Sequence, residues 1–453
     1  MRKTGSIAPR TQGKLHELLQ RYQGTHEPIS ISVRQQMPEI PYNKARYTHN
    51  LHSYPAKLIP QIPALFLEGL NLSPSATILD PFCGSGTVLL ESIVRGFRVI
   101  GIDSNPLARM ISKAKVTRIP LANIESAIEN LPKLVRRYRR KSIPDVVNLE
   151  YWYSQSTINE LAKVRHAVEN VQDEGIQRLL WVALSQAARK LSNCDLRVSV
   201  PVVLNPSRYK PGHCLRENAR ERQKWVKSVN VREFYIKTAL ETLELAKTLS
   251  TVTRKFGLLE DILNNAHEDT GDSIHGIKTG SVDLIITSPP YAGAQKYIRA
   301  STFGLGWIGL CKSDELRTLE KQNVGREHFS KTEIGDMPSL GLPSLDEFVG
   351  KVKKKNPLRA KILNCYLHEM ERVFKQCKRV LHKSGLMVLV AGPNKVCGMH
   401  CDTPGALIEL ARRSGLVPTL EMVDEIHSRG LMTRRNKTAG VIEAEHIYLL
   451  KHV

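Results

Sequence analysis

Two apolar runs, Ala76-Thr77-Ile78-Leu79 and Val282-Asp283-Leu284-Ile285-Ile286, each stop at a turn made of chemically specialised residues. The first turn is Asp80-Pro81-Phe82-Cys83-Gly84-Ser85-Gly86-Thr87, and the second is Thr287-Ser288-Pro289-Pro290-Tyr291. Short, nearly continuous apolar runs read as parallel strands buried on both faces. Parallel strands need long crossovers, commonly helices, so the chain is restricted to an α/β architecture. Ligands of such sheets bind beyond the carboxyl ends of the strands, and two strand ends of this kind in one sheet form one crevice. The glycines of the first turn let the backbone bend tightly and come close to a ligand. The paired prolines of the second fix an extended turn and remove two N–H donors, which leaves carbonyl oxygens as acceptors.

Around these turns the pattern is a βαβ unit: strand, glycine turn, helix Val88 to Gly96, strand Val99-Ile100-Gly101-Ile102-Asp103, then helix Pro106 to Lys115. Further on, Leu258 to Asn264 reads as a strand and Asn364 to Leu381 as an amphipathic helix. A turn at Gly385 introduces the strand Leu386 to Ala391, which is followed by a helix at Pro404 to Ser414 and a last strand at Glu445 to Lys451. The segment 121–250 departs from this alternation: Thr157 to Val171, Ile176 to Leu191 and Val231 to Thr248 all repeat apolar residues at helical spacing. The expected organisation is an arm at 1–45 with little core of its own, one α/β domain over 46–120 and 251–453, and an inserted helical region at 121–250.

The chain has 453 residues, with 66 Lys and Arg against 44 Asp and Glu, a net charge of +22. Such an excess favours a polyanionic partner, and its clustering favours phosphate contact over mere solubility. The clusters are Arg136-Arg137-Tyr138-Arg139-Arg140-Lys141, Arg216 to Lys227 and Lys351-Val352-Lys353-Lys354-Lys355, the first two inside the insertion. No run of about 18 apolar residues appears and the first residues lack the apolar stretch of a signal peptide, so a cytoplasmic protein without a membrane partner is expected. The eight cysteines form no C-x-x-C pair. Cys397-Gly398-Met399-His400-Cys401 is the one cluster that looks metal-binding, and without a second of zinc spacing no metal is expected.

The two strand-end motifs together resemble those of the exocyclic-amine DNA methyltransferases, which act on the 4-amino group of cytosine or the 6-amino group of adenine. His52-Ser53-Tyr54-Pro55-Ala56-Lys57-Leu58 is similar to that family's segment beside the methionine end of the cofactor. The resemblance implies a Rossmann-like class I methyltransferase sheet with helices on both faces, S-adenosylmethionine as cofactor and double-stranded DNA as partner. It also implies a place in a restriction–modification system, with a cognate restriction endonuclease as a further partner.

Tyr54, Pro55, Ala56, Lys57, Asp80, Phe82, Gly84, Gly86, Thr87, Asp103, Asn105 and Asp272 are the cofactor-binding residues it implies. Backbone N–H groups of the glycine turn would face the methionine carboxylate, Asp80 its ammonium directly or through water, and Asp103 the ribose diol, for which a carboxylate at the end of the second strand is suited. Asp272 would end the strand beside the cofactor adenine, a place that Asp269 or Asn265 could also fill. Ser288, Pro289, Pro290 and Tyr291 are the implied catalytic residues. The Ser288 hydroxyl oxygen and the Pro289 carbonyl would accept the two amino hydrogens of a flipped base, and Tyr291 would stack on it. Tyr297, Phe303 and Trp307 are candidates for the base pocket, although Phe303 and Trp307 suit an ordinary core helix better.

Ser before Pro-Pro-Tyr is closer to the cytosine-N4 group, with adenine-N6 as the alternative. An RNA guanine-N2 methyltransferase shares the first turn but usually carries Asp-Pro-Pro-Tyr and a dedicated RNA-binding domain. A P-loop is excluded because no lysine follows the glycines, and carbon-5 methylation because no Pro-Cys nucleophile follows a strand.

Overall fold

The computed structural model describes residues 8–40, 47–55, 57–253, 260–262, 276–292, 296–426 and 444–453. Ten strands are present among them: β1 Ile29–Ile31, β2 Thr77–Asp80, β3 Arg98–Gly101, β4 Glu260–Ile262, β5 Val282–Thr287, β6 Leu381–Ala391, β7 Asn394–Val396, β8 Met399–Cys401, β9 Leu416–Glu425 and β10 Ala444–His452. Eight form one sheet in the order β1-β9-β10-β6-β5-β2-β3-β4. Only β10 runs antiparallel to its neighbours in it. From β2 the chain moves outward through β3 to β4, then returns to place β5 on the other side of β2. The order of strands therefore reverses between β2 and β5, and a crevice opens at their carboxyl ends.

The central strands alternate between two cores, as a two-residue period demands. Ile78 of β2 with Leu284 and Ile286 of β5 joins one core, whereas Leu79 and Ile285 join the other. Helices Ala8–Thr25, Gln61–Gly69 and Thr87–Ile93 cover the first face through Leu15, Leu65 and Leu89. Helices Pro357–Val380 and Thr403–Arg413 cover the second through Tyr366, Phe374 and Leu407. At the start of β2 the Thr77 N–H donates to Asp283 Oδ2 of β5 at 2.8 Å, which aligns the two motif-bearing strands.

Segment 121–250 is helical, with Leu121–Arg137, Gln155–Glu169, Glu174–Leu191, Cys214–Ser228 and Val231–Thr253 as its main elements. Their core is shared: Leu161, Leu180 and Tyr235 pack in one cluster with Leu107 and Ile111 of helix Pro106–Val116 and with Phe303 and Trp307 of helix Tyr297–Ile308. The helical layer thus rests on the two helices that leave the motif-bearing half of the sheet.

Over its described residues, 8–40, the expected arm packs onto the sheet. Leu15, Leu18, Val33 and Met37 are buried, β1 pairs in parallel with β9, and the Val33 N–H donates to Asp424 Oδ1 at 3.1 Å. The apolar stripe of helix Ala8–Thr25 has a sheet face to cover, so this segment builds core. Strand β9 was not foreseen either, and the basic stretch Arg216 to Lys227 lies in a helix. Cys397-Gly398 forms the tight turn of the β7–β8 hairpin, with φ of 52° and 77°. Among the described residues no group of three or more His, Cys, Asp or Glu could hold a metal, and no helix is long and apolar enough to cross a membrane.

Candidate active site

At the reversal point lies a cleft that opens to solvent. Phe82 and Gly84 reach it from the turn after β2, Asp103 and Ser104 from the end of β3, and Tyr54 from the segment before β2. Ser288 and Pro290 reach it from the turn after β5, and Tyr297, Asn323 and Val324 complete the wall. The two motifs, some two hundred residues apart in the chain, therefore share one cavity.

Asp103 is held as a bidentate acceptor: Oδ2 takes the Gly84 N–H at 2.9 Å and Oδ1 the Asn105 N–H at 2.8 Å. Burial pushes its carboxyl up to about 6 against these two bonds. Each oxygen keeps a lone pair for a further donor. Gly84 adopts a φ of 50°, and the Tyr54 ring lies 3.6 Å from where its side chain would begin. Gly86 answers a different need: with a φ of 78°, its missing Cβ would stand 2.7 Å from Ser112 Cβ, so the turn closes onto helix Pro106–Val116 only with glycine there.

Gly84 gives its N–H to Asp103 and Gly86 gives its own to the Cys83 carbonyl at 2.7 Å.

Asp80 sits behind the cleft wall, 4% exposed. Its Oδ1 accepts the Phe82 N–H at 3.1 Å and the Thr287 hydroxyl at 2.8 Å. Burial pushes the carboxyl up to about 7, with the two donors opposing the rise. Asn105 is also withdrawn from the cleft. It caps helix Pro106–Val116 by accepting the Leu107 N–H at 3.0 Å, while its Nδ2 donates to Tyr54 Oη at 3.1 Å and to Ser301 Oγ at 2.9 Å. One buried amide thus fixes Tyr54, the end of β3 and the helix that follows the second motif. Ser104 Oγ donates to Asn323 Oδ1 at 2.6 Å, joining two walls of the cleft.

The remaining expected positions divide. Thr87 is buried at the first turn of helix Thr87–Ile93, Pro55 is half-buried, and the Lys57 ammonium is turned to the carbonyls of His49 and His52. Pro289 is buried, whereas its chain neighbours Ser288 and Pro290 are half-buried. The Tyr291 hydroxyl is buried among Glu445, Tyr297 and Tyr366, near the Gly392 backbone but with no partner in hydrogen-bond geometry among the described residues. Tyr297 lines the cleft, whereas Phe303 and Trp307 are core. Ala56, Asp272, Asn265 and Asp269 lie outside the described residues. Thr287, Ser301, Asn323 and Val324 were not anticipated.

The family model described as RMKL-like, methyltransferase domain, matches residues 47–172, which include the first motif. The type II methyltransferase M.MvaI of Kocuria varians is 23% identical over 438 residues, covering 90% of this chain and 92% of that protein. The type II methyltransferase M.MjaII of Methanocaldococcus jannaschii is 20% identical over 432 residues, covering 76% of each. A tRNA (guanine(10)-N2)-dimethyltransferase of Methanothermobacter thermautotrophicus is 34% identical over only 62 residues, 14% of this chain and 18% of that one. With matches of this length to type II enzymes, and with both strand-end motifs opening on one cleft, the chain resembles the DNA methyltransferase family.

Proposed function

We propose that the chain is a site-specific DNA methyltransferase that methylates the exocyclic amino group of a flipped base, the 4-amino group of cytosine, using S-adenosylmethionine. The observation that carries this reading is the shared cleft: Asp103 and Gly84 face the same space as Ser288 and Pro290. The lining fits the donor, because the Asp103 carboxylate offers acceptors for a ribose diol while Phe82 and Val324 offer apolar surface. Bound there, S-adenosylmethionine supplies an electrophilic methyl group on a sulfonium sulfur.

The chain's own part is positioning. Asp103 holds the ribose, Tyr54 closes the wall over Gly84, and Asp80 supplies negative charge toward the ammonium end. The Ser288 hydroxyl oxygen and the Pro289 carbonyl take the two amino hydrogens, which turns the nitrogen lone pair out of conjugation and toward the methyl group. Tyr291 and Tyr297 supply aromatic surface beside the base. No covalent enzyme intermediate is needed, and the methylated nitrogen releases its extra proton after transfer.

Region 121–250, with its exposed arginines, holds the duplex, and the base leaves the helix to reach the cleft. We extend the type II class of the two long matches to this chain, and with it a role in restriction–modification.

Ser288 as a neutral acceptor is the basis for choosing cytosine. Nucleoside mass spectrometry of plasmid DNA incubated with the purified protein and donor tests the reading, with N4-methylcytosine expected. N6-methyladenine alone would replace the base assignment and leave the mechanism standing. Methylation of RNA but not DNA would overturn the function.

A further inference from the structure

The backbone ladder between β2 and β5 pairs Ile78 with Leu284 and Leu79 with Ile285. Beyond those pairs the strand ends are joined by side chains, with the Thr287 hydroxyl donating to Asp80 Oδ1 at 2.8 Å. The two residues are 1% and 4% exposed, so water does not compete for this bond. A buried threonine commonly turns its hydroxyl to its own backbone, as Thr253 does to the Leu249 carbonyl at 2.9 Å. Thr287 instead crosses to a carboxylate on the neighbouring strand. It immediately precedes Ser288, so the residue that steadies Asp80 also begins the acceptor turn.

Among the described residues, the other titratable groups facing Asp80 give its charge no support: the Asp103 carboxylate repels it, and the Cys83 and Cys377 thiols are buried and neutral. Among the described residues, only the Thr287 hydroxyl and the Phe82 N–H oppose the effect of burial.

We propose that Thr287 is a positioning residue for the methyl donor: by donating to Asp80 across the β2–β5 junction it keeps that carboxylate oriented and ionised for the donor's ammonium group, and it ties donor capture to the strand that carries the acceptor turn. This rests on the reading that the cleft binds S-adenosylmethionine.

Without the hydroxyl, the carboxylate loses one of two donors and takes up a proton at higher pH. At neutral pH a larger share of Asp80 is then neutral and attracts the ammonium less. In alkaline solution Asp80 is ionised with or without Thr287, so much of the difference disappears. The donor's own ammonium titrates in the same range but identically for every variant, so the ratio of affinities is the quantity to read.

The test is calorimetric titration of the full chain and of Thr287→Val and Thr287→Ser with S-adenosylmethionine from pH 6 to pH 9, with thermal melts to verify folding. Thr287→Val is expected to bind the donor roughly tenfold more weakly at pH 7, the scale of one charge-assisted hydrogen bond. The deficit is expected to shrink toward pH 9, and Thr287→Ser should recover most of the affinity at every pH. A Val variant equal to the unmodified chain, or one whose deficit is the same at every pH, would overturn the proposal. Absence of binding by the unmodified chain would instead remove the methyltransferase reading, and this inference with it.

Discussion

Asp103→Ala removes both acceptors that face the cleft and releases the Gly84 and Asn105 N–H groups they held. Donor affinity is expected to fall by roughly 1.5–3 kcal/mol, the range for a hydrogen bond to a charged group, as calorimetry would show. Because burial holds this carboxyl near 6, donor binding by the unmodified chain should weaken as the pH falls through that value and the carboxylate is protonated. Ser288→Ala acts on the base instead, so methyl transfer should fall about a hundredfold while donor affinity stays unchanged, a split that separates transition-state stabilisation from donor binding. That Asp103, Gly84 and Ser288 line one cleft could be read from sequence because residue type and position after an apolar run agree. Thr287 and Ser104 hid their roles because their partners Asp80 and Asn323 lie 207 and 219 positions away. Nothing local distinguishes such residues from ordinary strand-end polar ones.

Among the elements, the turn between β3 and helix Pro106–Val116 bears the most on the cleft. Asn105→Ala deletes the cap and leaves the buried Tyr54 and Ser301 hydroxyls without that donor. Chemical denaturation should show a loss of roughly 2–4 kcal/mol, about 1 from the cap and the rest from the buried groups left behind. The central strands and their helices were legible because burial on both faces leaves nearly continuous apolar runs. Strand β9 was not, since Pro418 interrupts it where the pairing with β10 shifts register between Leu449 and Leu450, and proline inside a strand masks its signal. Strand β1 has three residues, too few for a period to show. The Gly385 turn lies within β6, where the register against β5 jumps from Val282 opposite Leu381 to Leu284 opposite Leu386, and regular pairing runs from Leu386 onward.

At the scale of the whole molecule, charge distribution sets the expectation for DNA. Arg136 is already engaged by Glu233 in a bidentate pair at 2.9 Å, whereas Arg137, Arg139 and Arg140 are exposed on the same run. Neutralising those three should weaken duplex binding and flatten the slope of log affinity against log salt, by somewhat less than one for each phosphate that an arginine no longer neutralises. Changing Arg136 should do less. An unchanged slope for the triple variant would mark the run as a solvated face. The N-terminal edge of the sheet has a consequence of another kind. Val33 meets Asp424 across 391 positions of chain. A ribosome therefore delivers helix Ala8–Thr25 and β1 long before β9 and β10: the helix can pack early on helix Gln61–Gly69, where Leu15 meets Gly69, but β1 must wait for its strand partner through most of translation. Such a nascent chain is a natural client for chaperones, and the pace of its maturation is set by when the last strands emerge.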